Sequence, residues 1–291
     1  MKTISLFGKD IPVRDKECSV DGRPTKEIKN PYVNIYVKPT TLCQANCKFC
    51  EYHDREKSSF DIYKFFYILN YLNRQDIRIN KISFTGGEPT LYGDLLNHIV
   101  SVIREFDDEV PLVLNTNGYN LKSINLDEFD NIALSRHHYL DAKNIEIFGT
   151  LNVPSFEDIK NFKFKDKLHL RCNLIKGYID SQKEALDFIT AFAGIGVNDF
   201  GFVSLFQIND YCKENFVDHS AIDLFHAPRT MVSYSQRREG VCSCKNYLHY
   251  TEKGELVKIY SRFNEDMTIC DGTLVYEKDV LTAGFNGEVI L

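Results

Sequence analysis

The feature that most narrows what this chain can fold into is an alternation. Six short runs rich in β-branched and aromatic residues, at 33–40, 81–85, 111–116, 131–136, 168–175 and 199–208, are separated mostly by stretches with helical periodicity. The clearest helical stretches are 60–73, 95–106 and 182–196. The last opens with Ser181 and Glu184 at capping-box spacing and closes near Gly194 and Gly196. This order predicts an α/β fold on a parallel sheet, as an α/β barrel or an open wound sheet.

Residues 1–31 mix charge, Gly and Pro and read as a leading arm or short hairpin, 32–208 hold the alternation, and 209–291 form a weakly periodic connector followed by a small β-rich C-terminal extension. With 291 residues, 43% of them hydrophobic, the chain can bury one large core and carry this extension. A formal charge of −6 argues against binding nucleic acid mainly through its phosphates. The N-terminal stretch lacks the apolar segment of a secretion signal and no run approaches a membrane span, so a cytoplasmic, reducing location is expected. In that compartment nine cysteines read as metal ligands, catalytic groups or buried apolar fillers rather than disulfides.

In parallel α/β architectures the C-terminal strand ends face the active site, so the residues just after each run form a single group of candidates. Here all six ends are polar. The first carries Cys43, Cys47 and Cys50, the second Gly86-Gly87-Glu88, the third Asn117-Gly118, the fourth Arg136-His137-His138, and the fifth includes Asn173. The C-x3-C-x2-C spacing lies in a polar, turn-like setting that suits unrelated core cysteines poorly. Zinc would need a fourth ligand from His53 or a remote residue. An iron–sulfur cluster is the other reading, because short spacings of this kind serve clusters and three thiolates leave one iron open to an outside ligand.

The motif C-x3-C-x2-aromatic-C, with Phe49 as the aromatic, follows a strand and precedes Gly86-Gly87-Glu88-Pro89; together these resemble the radical S-adenosylmethionine (SAM) superfamily over about residues 32–208. The resemblance implies a partial (β/α)6 TIM-like barrel. It implies that Cys43, Cys47 and Cys50 hold a [4Fe–4S] cluster completed by SAM, with Phe49 in the same cofactor loop. Gly86, Gly87 and Glu88 would meet the SAM amino group, Asn117 would help shape the cofactor site, and Asn173 would contact the SAM ribose or carboxylate, or else serve as a hydrogen bonder of the barrel interior. The cofactor would supply a 5′-deoxyadenosyl radical that takes hydrogen from substrate, with the electron coming from a reductase, flavodoxin or ferredoxin-like donor.

Arg136 and His138 alternate along a strand end and should share a face. If that face looks into the barrel, the cation can hold a carboxylate or phosphate and the histidine can move a proton, which makes both catalytic candidates. The alternative is a core histidine and an outer salt-bridge arginine. In the tail, Cys242 and Cys244 with the remote Cys270 resemble the ligands of a second, auxiliary [4Fe–4S] cluster in SPASM/twitch extensions such as that of the molybdenum-cofactor GTP 3′,8-cyclase; Cys212 is a candidate fourth. A structural zinc site that includes His249 is the alternative. The C-x-C spacing and the ending Gly-Glu-Val-Ile-Leu depart from the cyclase, so the resemblance carries its architecture and not GTP cyclisation. Cys18 and Cys172 read as unliganded. The expected function is hydrogen abstraction from a peptide, for epimerisation or crosslinking. Rearrangement or oxidation of a small molecule, or a non-catalytic metal-binding scaffold, are the alternatives.

Overall fold

The computed structural model describes residues 2–13, 32–51, 59–218, 221–224, 226–231, 245–262, 272–285 and 287–291. The chain opens with an antiparallel hairpin, β1 (Lys2–Leu6) and β2 (Lys9–Val13), turned at Phe7 and Gly8, whose φ values of 49° and 80° suit a tight two-residue turn. Leu6, Ile11 and Val13 send this hairpin's apolar side into the main core.

The alternation then follows as β3 (Tyr32–Lys38), α1 (Ile62–Arg74), β4 (Arg78–Phe84), α2 (Gly93–Phe106), β5 (Leu112–Thr116), β6 (Asn131–Ser135), α3 (Asp141–Phe148), α4 (Phe156–Lys160), β7 (Leu168–Leu174), α5 (Gln182–Ala193) and β8 (Asp199–Ser204). The strands β3 to β8 lie side by side in chain order, each parallel to the next. On α1, Phe65, Ile68, Leu69 and Leu72 repeat at helical spacing and are buried, while the Asp61 carboxylate caps the helix by accepting Lys64 N–H at 2.9 Å. Ser181 caps α5 by accepting Glu184 N–H at 3.2 Å. Glu184 does not return the bond of a capping box, because its carboxylate accepts the Tyr139 hydroxyl at 3.1 Å.

Strand alternation sorts the sheet into two chemically different faces. Ile35 and Val37, Ile82 and Phe84, Ile132 and Leu134, and Phe200 and Phe202 join the buried residues of α1, α2 and α5 in one core. Residues of the opposite parity, including Tyr36, Ser83, Asn115, Ser135 and Arg171, line the face turned away from the helices.

The tail contributes α6 (Asp210–Glu214), β9 (Thr230–Met231), β10 (Lys245–Tyr250), β11 (Leu256–Arg262), β12 (Thr273–Glu277) and β13 (Val280–Ala283). Its strands extend the barrel sheet on both edges: β11 runs parallel to β8, and β12 runs parallel to β3 with Thr273 opposite Asn34. Antiparallel β10 and β9 continue one side and β13 the other, giving an eleven-stranded sheet in the order β13-β12-β3-β4-β5-β6-β7-β8-β11-β10-β9. Its two ends are not paired with each other among the described residues, so the barrel is partial. At the tip of the β12–β13 hairpin, the Asp279 carboxylate accepts both the Ser59 hydroxyl and Asp61 N–H at 2.5 Å, and Lys38 at the end of β3 pairs with Glu277 at 2.9 Å. Among the described residues, no helix is long and apolar enough to cross a membrane.

Candidate active site

The loop after β3 carries Cys43, Cys47 and Cys50, all half-buried. Its shape is imposed by the turn after β4. Gly87 N–H donates to Thr40 O at 2.9 Å and Glu88 N–H to Leu42 O at 2.7 Å. A Cβ on Gly86, whose φ is +118°, would sit 2.5 Å from Thr40 O, and one on Gly87 would sit 2.1 Å from Leu42 O. Only a glycine pair lets the two loops approach this closely. On the other side, Asn46 N–H donates to Phe148 O at 2.7 Å, and Cys50 N–H closes a turn onto Cys47 O at 3.1 Å.

Glu88 locks the ends of β4 and β5 together. It is 1% exposed, and its carboxylate accepts Thr90 N–H at 3.1 Å, the Thr90 hydroxyl at 2.8 Å, the Thr116 hydroxyl at 2.6 Å and Asn117 N–H at 2.7 Å. Burial pushes its pKa up, opposed by these hydrogen bonds. Asn117 is thereby held beside the cysteine loop, where its amide donates to Cys43 Sγ at 3.5 Å and exchanges hydrogen bonds with the Gln44 side chain. The Phe49 ring sits edge-on to His137, 5.2 Å between centroids, and packs against a small buried cluster of Ile147, Ile175, Leu205 and Cys212.

The fourth strand end differs from expectation. Arg136 and His138 do share a side, but it is the side of the helices. Arg136 is 1% exposed; it donates to His138 O, Pro154 O and Tyr139 O, pairs with the Asp141 carboxylate at 2.6 Å, and lies over the Phe192 ring of α5. Burial lowers its pKa and Asp141 opposes that shift. With these protein acceptors satisfying it, the guanidinium is a structural tie and not the substrate-facing cation that the strand-end position suggested. His138 Nδ1 accepts Leu140 N–H at 3.0 Å, and the ring leans on Tyr139. His137 is the residue turned towards the cysteine loop. It stacks on Phe148, accepts Asn173 N–H on Nδ1 at 3.1 Å, and so carries its proton on Nε2. Complete burial, and secondarily Arg136, lowers its pKa to about 3, so it is neutral at pH 7. Asn173 is thus placed at the site through its backbone.

Cys212, a candidate fourth ligand of the tail site, meets the first cysteine loop. It is fully buried on α6 and its thiol donates to Phe49 O at 3.6 Å, while Asn209 at the same helix start donates to Lys48 O at 3.1 Å. Cys172 is buried on the helix side of β7. Cys18, His53, Cys242, Cys244 and Cys270 lie outside the described residues. His249 is buried and its Nδ1 lies 3.1 Å from the Thr230 hydroxyl.

The donor chemistry suits a three-cysteine iron–sulfur cradle: three half-buried thiols on one loop, backed by backbone hydrogen bonds and an amide donor to Cys43 Sγ. The three sulfurs are not drawn into one coordinating group, and no set of three or more His, Cys, Asp or Glu side chains among the described residues is so gathered. A cleft of about 670 Å³ near Arg104, Asp127 and Lys167 lies at the opposite, N-terminal end of the strands.

Residues 37–146 match the family profile described as the Radical SAM superfamily. Over this segment the chain is similar to radical SAM proteins. Over 149 residues the chain is 27% identical to a protein of Methanocaldococcus jannaschii named as a glycyl-radical enzyme activating enzyme, covering 49% of this chain and 56% of that one. It is 25% identical over 196 residues to a protein of Saccharolobus solfataricus named as a GTP 3′,8-cyclase, covering 64% and 59%. The chain therefore spans less than two thirds of either relative's length. Streptococcus suis SuiB bound to S-adenosylmethionine superposes with a TM-score of 0.51 at 17% identity, over 62% of this chain and 42% of SuiB, and the likeness is one of fold.

Proposed function

We propose that Cys43, Cys47 and Cys50 hold a [4Fe–4S] cluster completed by SAM, and that the chain uses them to abstract hydrogen from a substrate, with a peptide preferred. The observation that carries the reading is the cysteine loop locked onto the Gly86–Glu88 turn at the strand ends of the segment similar to radical SAM proteins. When bound and reduced, the cofactor pair supplies a 5′-deoxyadenosyl radical, the electron coming from a reductase, flavodoxin or ferredoxin-like protein of a cytoplasmic setting. The chain's own residues position and protect. Gly86 and Gly87 set the loop, the Asn117 amide donates to Cys43 Sγ, and Phe49 with neutral His137 keeps one wall apolar and free of exchangeable charge. The peptide preference draws support from the fold shared with SuiB, which is also known bound to its precursor peptide SuiA with a TM-score of 0.51. Cys242, Cys244 and Cys270 are proposed as ligands of an auxiliary [4Fe–4S] cluster.

The test is anaerobic reconstitution followed by SAM and dithionite, with 5′-deoxyadenosine, iron and sulfide measured in wild type and in a Cys43→Ala, Cys47→Ala, Cys50→Ala triple variant. Deoxyadenosine from wild type alone, with a four-iron cluster remaining in the variant, supports both clusters. No deoxyadenosine from a loaded, reducible wild type refutes the radical reading, and zinc in the variant refutes the auxiliary cluster.

A further inference from the structure

The sheet face turned away from the helices carries a cation with incomplete hydrogen bonding. Arg171 stands mid-strand on β7, in register with Ser135 of β6 and Gly201 of β8. Its Nη1 donates to Asn115 Oδ1 at 3.2 Å, and the Asn115 amide donates to Phe84 O at 2.8 Å, which fixes the side of that amide offered to Arg171. Arg171 Nε is buried and has no acceptor among the described residues. A buried donor without a partner is rare in folded proteins and points to a group that arrives from outside.

Acids of the same sheet and of its strand ends are already engaged. Asp199 on β8 takes His169 Nδ1 at 2.8 Å, Glu277 takes Lys38, and Glu88 is held by Thr90, Thr116 and Asn117. The in-register neighbours, a serine and a glycine, bring no carboxylate. Asn173 is the next residue on the same side of β7, about 7 Å closer to the strand ends and the cysteine loop. A molecule held by Arg171 would therefore extend towards that loop.

We propose that Arg171 is the receptor for a carboxylate or phosphate carried by the substrate, an assignment that deepens the radical SAM reading and rests on it. The Nε–Nη edge of a guanidinium matches two oxygens of either group in one plane, and Asn115 holds the opposite corner.

The experiment labels the anaerobically reconstituted full chain with phenylglyoxal and quantifies the Arg171 adduct by peptide mass spectrometry, with exposed Arg78 as internal reference. The probes are inorganic phosphate and acetate against chloride at matched ionic strength, with and without SAM, and with decarboxylated SAM. Phosphate or acetate should slow Arg171 labelling at least about tenfold, with SAM present or absent, while SAM alone leaves it unchanged. Asn115→Asp, which supplies a carboxylate beside the guanidinium, should give the slowed rate without added anion. Protection by SAM but not by decarboxylated SAM would assign the oxyanion to the cofactor and overturn the proposal. No protection by any probe, with Arg171 labelling normally, would also overturn it and leave water as the partner of Nε. Labelling needs no SAM cleavage, so Arg171 protection in a chain that makes no deoxyadenosine would preserve the receptor while the radical reading fell.

Discussion

Replacing Gly87 with alanine isolates the contact that shapes the cysteine loop. Gly87 has no positive φ, so the added methyl brings no intrinsic backbone strain; the whole effect comes from its position 2.1 Å from Leu42 O and 2.5 Å from Thr41 O. Reaching even 3.0 Å requires the turn and the loop to separate by about 1 Å, which breaks or stretches Gly87 N–H to Thr40 O and Glu88 N–H to Leu42 O. Each such bond is worth roughly 0.5–1.5 kcal/mol, and stranding its buried partners adds more, so Gly87→Ala should cost about 2–4 kcal/mol. Gly194→Ala is the control: its φ of −60° suits alanine, the nearest non-neighbouring atom would be 3.4 Å away, and stability should change by less than about 1 kcal/mol. Urea unfolding of the apo chains reads the stability, and iron per chain after reconstitution reads the loop. A Gly87→Ala chain that unfolds with wild type and binds as much iron would refute the close-approach reasoning.

Glu88→Ala should destabilise by about 2–4 kcal/mol in the same unfolding assay, because it strands the Thr116 hydroxyl and Asn117 N–H in a buried site; a loss below about 1 kcal/mol would mean that water replaces the carboxylate. His137 has its pKa lowered from 6.5 to about 3, so the stability it gives as a neutral ring is complete above pH 6.5 and is lost as pH falls towards 3. Between pH 7.5 and 5.5 this group should cost wild type roughly 1.4 kcal/mol of unfolding free energy, and His137→Gln should lack that increment, which parallel pH dependences would contradict. Arg136→Lys cannot reproduce the planar fork that reaches Pro154 O, Tyr139 O and Asp141 together; it should lose about 2–4 kcal/mol while deoxyadenosine yield per folded chain is kept. A stable Arg136→Lys chain with lost turnover would restore the catalytic reading of that residue.

The six parallel strands and the helices α1, α2 and α5 were legible because each rests on local periodicity, as in Phe65, Ile68, Leu69 and Leu72. The same rule held the key to Arg136, had it been read across the whole strand. Ile132, Leu134 and Arg136 share one parity, and the first two are plainly helix-facing; His137 shares the parity of Ala133 and Ser135 on the other face. Alternation says which residues lie together, and the apolar members say where. The partners of β11 and β12 were not legible, since pairing Thr273 with Asn34 leaves no mark in either segment. Nor could spacing reveal that Cys212 abuts Phe49, a contact created only when α6 folds back over the loop. Arg171 leaves no mark in the sequence for a different reason: its signal is a missing acceptor, which exists only in three dimensions.

The two-sided seating of the tail has a consequence for how the protein is made. Synthesis delivers β3 early, but the strand that covers its free edge, β12, emerges only after β8 and β11 have been produced. Until then a nascent chain that has formed β3 to β8 exposes two bare strand edges, each a template for pairing with another molecule. The closing contacts span most of the chain, which favours slow, late completion of the sheet. A ribosome that stalls between β11 and β12 would release a product with one edge covered and the other, beside the cysteine loop, still open to aggregation.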